Sequence, residues 1–236
     1  MFLAACGGDS LAQPIDATPL DAAATTDASC TARPPTVVFL NRAGGTYTYG
    51  APQDSSTNTM TIGSPGTLTL PAPTVNEDDW TAFVTCFTSK YAPFNVTVTE
   101  IDPGAAAHVE LVVIDRADQI GFPDTATGVA GGLNCQGQVP KIEERGIVMV
   151  MWSPLAITGA RCQKAAQMVG FTLGLDRAFS CADIMTWENQ CGPPGDRTFV
   201  DADVPCGEVM TRTCRCGHAT QNTYRQLDTT LRQICP

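Results

Sequence analysis

The run Gly146-Ile147-Val148-Met149-Val150-Met151-Trp152 carries no charged or hydrogen-bonding aliphatic side chain at any position. A strand with one wet face alternates apolar and polar residues, so an unbroken apolar run predicts a central strand covered on both faces. Such a strand needs layers above and below it. Ser153-Pro154 follows as an N-cap and first-turn pair, which predicts a long helix from there to about Leu173. Gly174 is placed to close that helix in a left-handed conformation.

The rest of the chain supplies the other layers. Thr36–Asn41 is a compact β-branched run and reads as a strand. Residues 43–75 are rich in Gly, Ser, Thr and Pro and read as loops with short strands. Glu77-Asp78-Asp79 place negative charge in a first helical turn, and Trp80, Phe83, Val84 and Phe87 form one stripe of a helix that ends before Pro93. Val96–Thr99 and Val109–Ile114 read as strands, and Gly128–Leu133 as a short edge strand. Beyond Asp176 the chain is loop-rich and holds six cysteines, before a last helix of about Gln221–Ile234 with Tyr224, Leu227 and Leu231 on one face. The expected class is α+β: a twisted mixed sheet, two main helices, and a cysteine-rich C-terminal lobe ending in a helix.

At 236 residues the chain suits one domain with a real core. Its net charge of −10, with no Lys or Arg run, argues against nucleic acid and anionic membranes as partners. No apolar stretch is long enough to span a bilayer. Eleven cysteines predict an exported, disulfide-stabilised protein. The odd one is Cys6, in Leu3-Ala4-Ala5-Cys6-Gly7-Gly8, which resembles a bacterial lipobox and implies lipidation of Cys6. Only five residues precede it, so residues 1–6 read as a truncated lipoprotein signal. Cys30, Cys86, Cys135, Cys162, Cys181, Cys191, Cys206, Cys214, Cys216 and Cys235 then form an even set that can pair completely. Residues 7–35, rich in Ala, Asp, Thr and Pro, are expected to form a disordered tether. The expected location is the cell envelope or exterior, lipid-anchored at the membrane surface.

At the end of the long helix the chain reads Gln167-Met168-Val169-Gly170-Phe171-Thr172-Leu173-Gly174-Leu175-Asp176-Arg177, and then Asp183-Ile184-Met185-Thr186-Trp187. This resembles the metzincin zinc metalloproteases, whose signature is H-E-x-x-H-x-x-G-x-x-H followed by a methionine turn. Tyr91-Ala92-Pro93-Phe94, Cys214-Arg215-Cys216 and Gln221-Asn222 also look like secreted bacterial proteins of this type. The resemblance spans roughly residues 36–235. It implies a metzincin-like (zincin) domain over 36–236, with an upper part 36–175 and a cysteine-rich lower part 176–236.

The signature has a chemical logic. Histidines at i and i+4 share a helical face and reach one zinc, a glutamate between them activates the metal-bound water, and a glycine turn delivers a third histidine. Here Gln167 stands for the first histidine, Met168 for the base, Phe171 for the second histidine and Arg177 for the third. None of the four suits its role: an amide, a thioether, a ring and a permanent cation. Gly174 and Met185 remain. Zinc is expected for the family, but its ligands are absent. Asp176 is one position out of register for a substitute ligand. His108, opening a strand, reads as a surface or hydrogen-bonded residue, and Cys206, Cys214 and Cys216 beside His218 read as disulfide partners rather than zinc ligands. Asp201 and Asp203 offer oxygen ligands for calcium, with a solvated loop the better reading. No Gly-x-Ser-x-Gly elbow is present.

The resemblance therefore implies an exported, catalytically inactive protease-like domain, a pseudoprotease. Its former substrate cleft, beside the edge strand, is suited to an extended peptide or protein ligand by strand addition. The alternatives are an active metallopeptidase with a non-standard site, and a structural surface lipoprotein. Arg177 calls for an acidic or carbonyl partner, with Asp183 and Glu188 the candidates near in sequence.

Overall fold

The computed structural model describes residues 31–131, 134–187, 191 and 196–234. Cys6, Cys30, Cys235, Glu188, Gly132, Leu133 and the tether up to residue 30 lie outside the described residues.

Strands β1 (Thr31–Ala32) and β2 (Thr36–Asn41) open the described chain. A small ribbon follows, of β3 (Gly45–Tyr49), β4 (Thr59–Met60) and β5 (Thr67–Leu70), with β3 in the middle. Helix α1 (Glu77–Tyr91) begins at Asn76, whose side chain accepts from the Asp79 amide at 2.8 Å. Glu77, Asp78 and Asp79 fill its first turn, where they complement the helix dipole. Trp80, Phe83 and Phe87 are buried along the stripe read from the sequence, and Val84 is half-buried. Then come β6 (Val96–Thr99), β7 (Val109–Ile114), β8 (Gly128–Ala130), the hairpin β9 (Cys135–Gln136) and β10 (Val139–Pro140), and β11 (Ile147–Met151).

The main sheet has the order β6-β2-β7-β11-β8. Its first four strands are parallel, and β8 runs antiparallel at the edge. Helix α1 is a crossover between the parallel neighbours β2 and β6, as parallel pairing requires. The apolar run is explained by its alternation. Val148 and Val150 face a core built with Phe83, Phe87, Met168 and Val169 of the helices, while Ile147, Met149 and Met151 face Tyr47, Met60 and Leu70 of the ribbon. Both faces of β11 are therefore dry.

Helix α2 is Thr158–Thr172, four residues shorter at its start than the Ser153-Pro154 pair predicts. The amides of Trp152 and Ser153 still bond the carbonyls of Ile114 and Asp115, at 2.7 and 3.0 Å. Ser153 is thus held beside the neighbouring strand and cannot cap a helix. The other end is as expected. Gly174 has φ +89°, its amide bonds the Phe171 carbonyl, and the Leu175 amide reaches the Gly170 carbonyl at 3.0 Å. Those two bonds form a Schellman closure.

The lower part carries β12 (Val204–Gly207) between β13 (Thr211–Arg212) and β14 (Thr220–Gln221). Helix α3 (Thr223–Arg232) follows, and β15 (Gln233–Ile234) pairs with β1. Leu227 and Leu231 are fully buried, and Tyr224 packs its ring 5.1 Å from that of Phe94. The helix begins after Gln221, because Gln221 is taken into β14 opposite Val204. Four disulfides are formed among the described residues: Cys86–Cys162, Cys135–Cys216, Cys181–Cys191 and Cys206–Cys214. The first joins α1 to α2. The described residues thus form a mixed α+β fold with three α-helices and a mixed main sheet.

Candidate functional site

Gln167, Met168 and Phe171 lie on the last two turns of α2, next to the turn Asp183–Thr186. Gln167 is buried. Its Nε2 donates to the carbonyls of Thr186 (2.6 Å) and Ile184 (3.2 Å), and its Oε1 accepts from Lys164 Nζ at 2.8 Å. Met185, between those two carbonyls, is fully buried. A Cβ added at Gly170 would lie 2.6 Å from Met185 Sδ, so the absence of a side chain at Gly170 lets the turn lie directly on the helix.

Asp183 braces the same turn from below. It accepts from the Met185 amide (2.8 Å), the Thr223 hydroxyl (2.6 Å) and the Val200 amide (3.3 Å). Burial pushes its carboxyl up, against the pull of those donors. With its oxygens so used, Asp183 is not the partner of Arg177. That partner is Glu208, whose Oε1 lies 3.7 Å from Arg177 Nε, and Glu188 is outside the described residues. The Arg177 guanidinium also lies over two rings, Trp187 at 4.4 Å and Phe171 at 5.1 Å.

Asp176 is buried and fully engaged. Its carboxylate accepts a two-pronged contact from Arg212 (2.6 and 2.8 Å) and the amides of Arg177 (2.7 Å) and Arg215 (2.8 Å). Burial alone would raise its carboxyl, but Arg212 and the two amides outweigh that and hold it below the usual range. Gln221 clamps the backbone of Asp176 on both sides, accepting from its amide at 3.0 Å and donating to its carbonyl at 2.6 Å.

This donor set does not fit zinc. The Gln167 amide is spent at both ends, Phe171 offers a ring, Arg177 brings a positive charge, and Asp176 is committed to Arg212. No histidine stands near α2 in the contacts. His108 is buried rather than on the surface, with Nδ1 2.8 Å from the Ala106 carbonyl and its ring edge-on to Phe39. His218 is exposed, with Nε2 2.7 Å from the Gln138 carbonyl. Cys206, Cys214 and Cys216 are in disulfides. Asp201 and Asp203 both face the guanidinium of Arg225, at 3.5 and 3.7 Å, and Asp201 also accepts from Asn222.

A cleft lies beside the edge strand. Cavities of about 280 and 430 Å³ share Ala126, Gly128 and Arg177. Their walls include the edge strand β8, then Met168 and Phe171 of α2, and Trp187, Glu208 and Arg215 from the lower part. No described strand pairs with the outer side of β8. The Met151 amide bonds the Thr127 carbonyl at 3.1 Å, and Met149 lies opposite Val129. By the alternation of an antiparallel ladder, Gly128 and Ala130 then direct their backbone groups to the free edge.

The sequence pointed to Gln167, Met168, Phe171 and Arg177; Met168, Phe171 and Arg177 line one cavity, while Gln167 is buried and lines neither. The sequence did not point to Lys164, Glu208 or Arg212. Lys164 was in reach, three residues before Gln167 on the same helix face. Glu208 and Arg212 come from a separate hairpin, and nothing local marks them.

No family model matches the chain, and no curated protein matches it. Among solved structures it is similar to metalloproteinase-II from Bacteroides fragilis, at 11% identity over 84% of this chain and 54% of that one, with a TM-score of 0.37. The chain thus spans about half the length of that protein. It is also similar to the GM1-bound form of the ECX AB5 holotoxin, at 8% identity over 86% of this chain and 82% of that one, with a TM-score of 0.36. Both scores are too low to assign a shared fold.

Proposed function

We propose that the chain is a metzincin-like domain without zinc chemistry, exported and lipid-anchored through Cys6, whose cleft binds an extended peptide. In this reading, 1–6 is signal, 7–35 a tether whose last residues are docked on the body through β1 and Arg33, and 36–175 and 176–236 the two sides of the cleft. The observation that carries it is the Gln167 amide. It bonds Ile184, Thr186 and Lys164 at the position where the family pattern calls for a metal ligand, so polar satisfaction replaces coordination. The glycine closure at Gly174 and the buried Met185 keep the frame of the site, and the open edge of β8 keeps its peptide-facing wall.

Two measurements test the chemistry. Purified protein should hold far less than one zinc per chain, and casein cleavage, if any, should ignore a chelator. One tightly held zinc with chelator-sensitive cleavage would establish the rival reading, an active metallopeptidase. Failure to bind any peptide, with the fold intact, would leave the second rival, a structural surface lipoprotein. The anchor is tested separately: fatty-acid labelling in the source cell should disappear on Cys6→Ser.

A further inference from the structure

We infer that the cleft beside β8 selects extended peptides by one large apolar side chain, seated over Met168 and Phe171, an inference that rests on the peptide-binding reading above. The smaller cavity, of about 280 Å³, is walled by Phe122, Ala126, Met168 and Phe171 and by the edge strand. Its charged side chains are taken up with one another. Arg212 holds Asp176 at 2.6 and 2.8 Å and Glu208 at 2.9 and 3.2 Å, and Arg177 has Glu208 and two aromatic rings. Arg215, the remaining charged side chain of the described lining, is exposed, where water weakens its pull. A polar side chain entering this cavity would exchange water for groups already bonded, which costs free energy. An apolar one gains by burial against the four apolar residues.

Strand alternation fixes where that side chain falls. Gly128 pairs with Val150 and Ala130 with Val148, and both valines face the core built with the helices. Gly128 and Ala130 therefore lie on the α2 face of β8, and Val129, opposite Met149, on the ribbon face. A Cβ added at Gly128 would come within 2.9 Å of Met168 Cγ, so the bare glycine lets β8 lie directly on α2. The open edge and the apolar residues of α2 thus adjoin. A peptide residue paired opposite Gly128 or Ala130 shares their face, and its side chain is directed over α2, where Met168 and Phe171 line the cavity. Its neighbours in the peptide point the other way, so one position in the bound strand carries the preference. Two positions where the family pattern calls for a base and a histidine become binding surface.

The test uses blocked, fluorescently labelled pentapeptides with Leu, Phe, Ala, Glu or Lys at the centre and serine and threonine flanks, titrated with the full chain by polarisation. The Leu and Phe peptides should bind roughly tenfold tighter than the Ala peptide, the size of effect that burying a large apolar side chain gives, and the Glu and Lys peptides no tighter than Ala. That order should persist in added sodium chloride, because apolar burial is not screened. Phe122→Ser, a change at an exposed rim residue, should cut the Leu and Phe advantage severalfold. Ile101→Ser, at an exposed apolar residue outside the lining, should leave it unchanged, with circular dichroism confirming both folds. Equal binding of the Leu, Phe and Ala peptides, a Glu or Lys peptide as tight as Leu, or an advantage that survives Phe122→Ser would overturn the apolar preference and leave the peptide-binding reading standing. Binding of no peptide would overturn both. Sedimentation as a dimer that Phe122→Ser turns into a monomer would assign the cleft to a second copy of the chain and likewise overturn it.

Discussion

The side-chain amide of Gln167 donates to the carbonyl oxygen of Thr186 at 2.6 Å, tying the last turns of α2 to the turn Asp183–Thr186. A second bond runs to Ile184, and Lys164 completes the set on the amide oxygen. All three partners depend on a carboxamide, which both donates and accepts.

Gln167→Ala should therefore be costly. It leaves the Ile184 and Thr186 carbonyls without the Gln167 donor in a buried site and removes one acceptor of the Lys164 ammonium. A loss of roughly 2–4 kcal/mol is expected, since each orphaned buried group is expensive. Urea unfolding followed by circular dichroism reads it. Gln167→Glu should be comparably harmful, because a carboxylate cannot donate to the two carbonyls. A midpoint unchanged in either variant would show that the staple is dispensable.

Asp176 yields a pH dependence of known sign. Its folded-state carboxyl is held below the usual range by Arg212 and two amides, against burial. The stability it contributes is present above the ordinary carboxylate value of about 4, and is lost as pH falls through the lowered folded value. Arg212→Met should remove that contribution and leave a buried charge poorly compensated, costing about 2–3 kcal/mol at neutral pH once the partial exposure of Arg212 is allowed for. Denaturant midpoints measured from pH 7 downward should converge for the two proteins in acid. Parallel curves would contradict the assignment.

Glu110 should behave in the opposite way. It is buried in β7, where Oε1 accepts from Tyr47 (2.7 Å) and Asn41 (2.7 Å), while Oε2 has no hydrogen-bond partner. Burial pushes its carboxyl up despite those two donors. A raised folded value favours the protonated form, so this contribution is present below the unfolded value and is lost as pH rises through the folded one. Glu110→Gln keeps the acceptor and removes the charge. Its stability relative to the parent chain should improve steadily from acid toward pH 7, and a constant difference across that range would sink the idea.

The parts of the fold that were legible are those decided by burial and local chemistry. Ile147–Met151 is dry on both faces, as its unbroken apolar run indicates, and Val109–Ile114 is the strand its β-branched composition calls for. Gly174 marked the end of α2 because only a left-handed residue closes that motif. The start of α2 was not legible, because what holds Ser153 is the carbonyl of Asp115, just past the end of β7. The same limit applied to Arg177. The need for a partner could be read from its chemistry, but Glu208 reaches it only because the β12–β13 hairpin folds back over the cleft. Sequence proximity favoured Asp183, which the structure assigns to Thr223 and the methionine turn.

The disulfides give a last prediction, ordered by loop size. Cys86–Cys162 joins the two main helices and closes a separation of 76 residues, whereas Cys206–Cys214 closes only 8. If a cross-link acts by restricting the unfolded chain, the larger loop contributes more, about 4.5 against about 2.5 kcal/mol. Replacing Cys86 and Cys162 together by serine should accordingly lower the denaturant midpoint more than replacing Cys206 and Cys214. The smaller bridge has a local role instead. It lies across the hairpin that carries Glu208 and Arg212, so its loss should weaken peptide binding more than its effect on the midpoint suggests. Measuring both midpoints and the binding of a randomised pentapeptide pool separates the two contributions. A Cys206–Cys214 variant that unfolds earlier than the Cys86–Cys162 variant would mean that native contacts in the lower part, and not loop entropy, set the order.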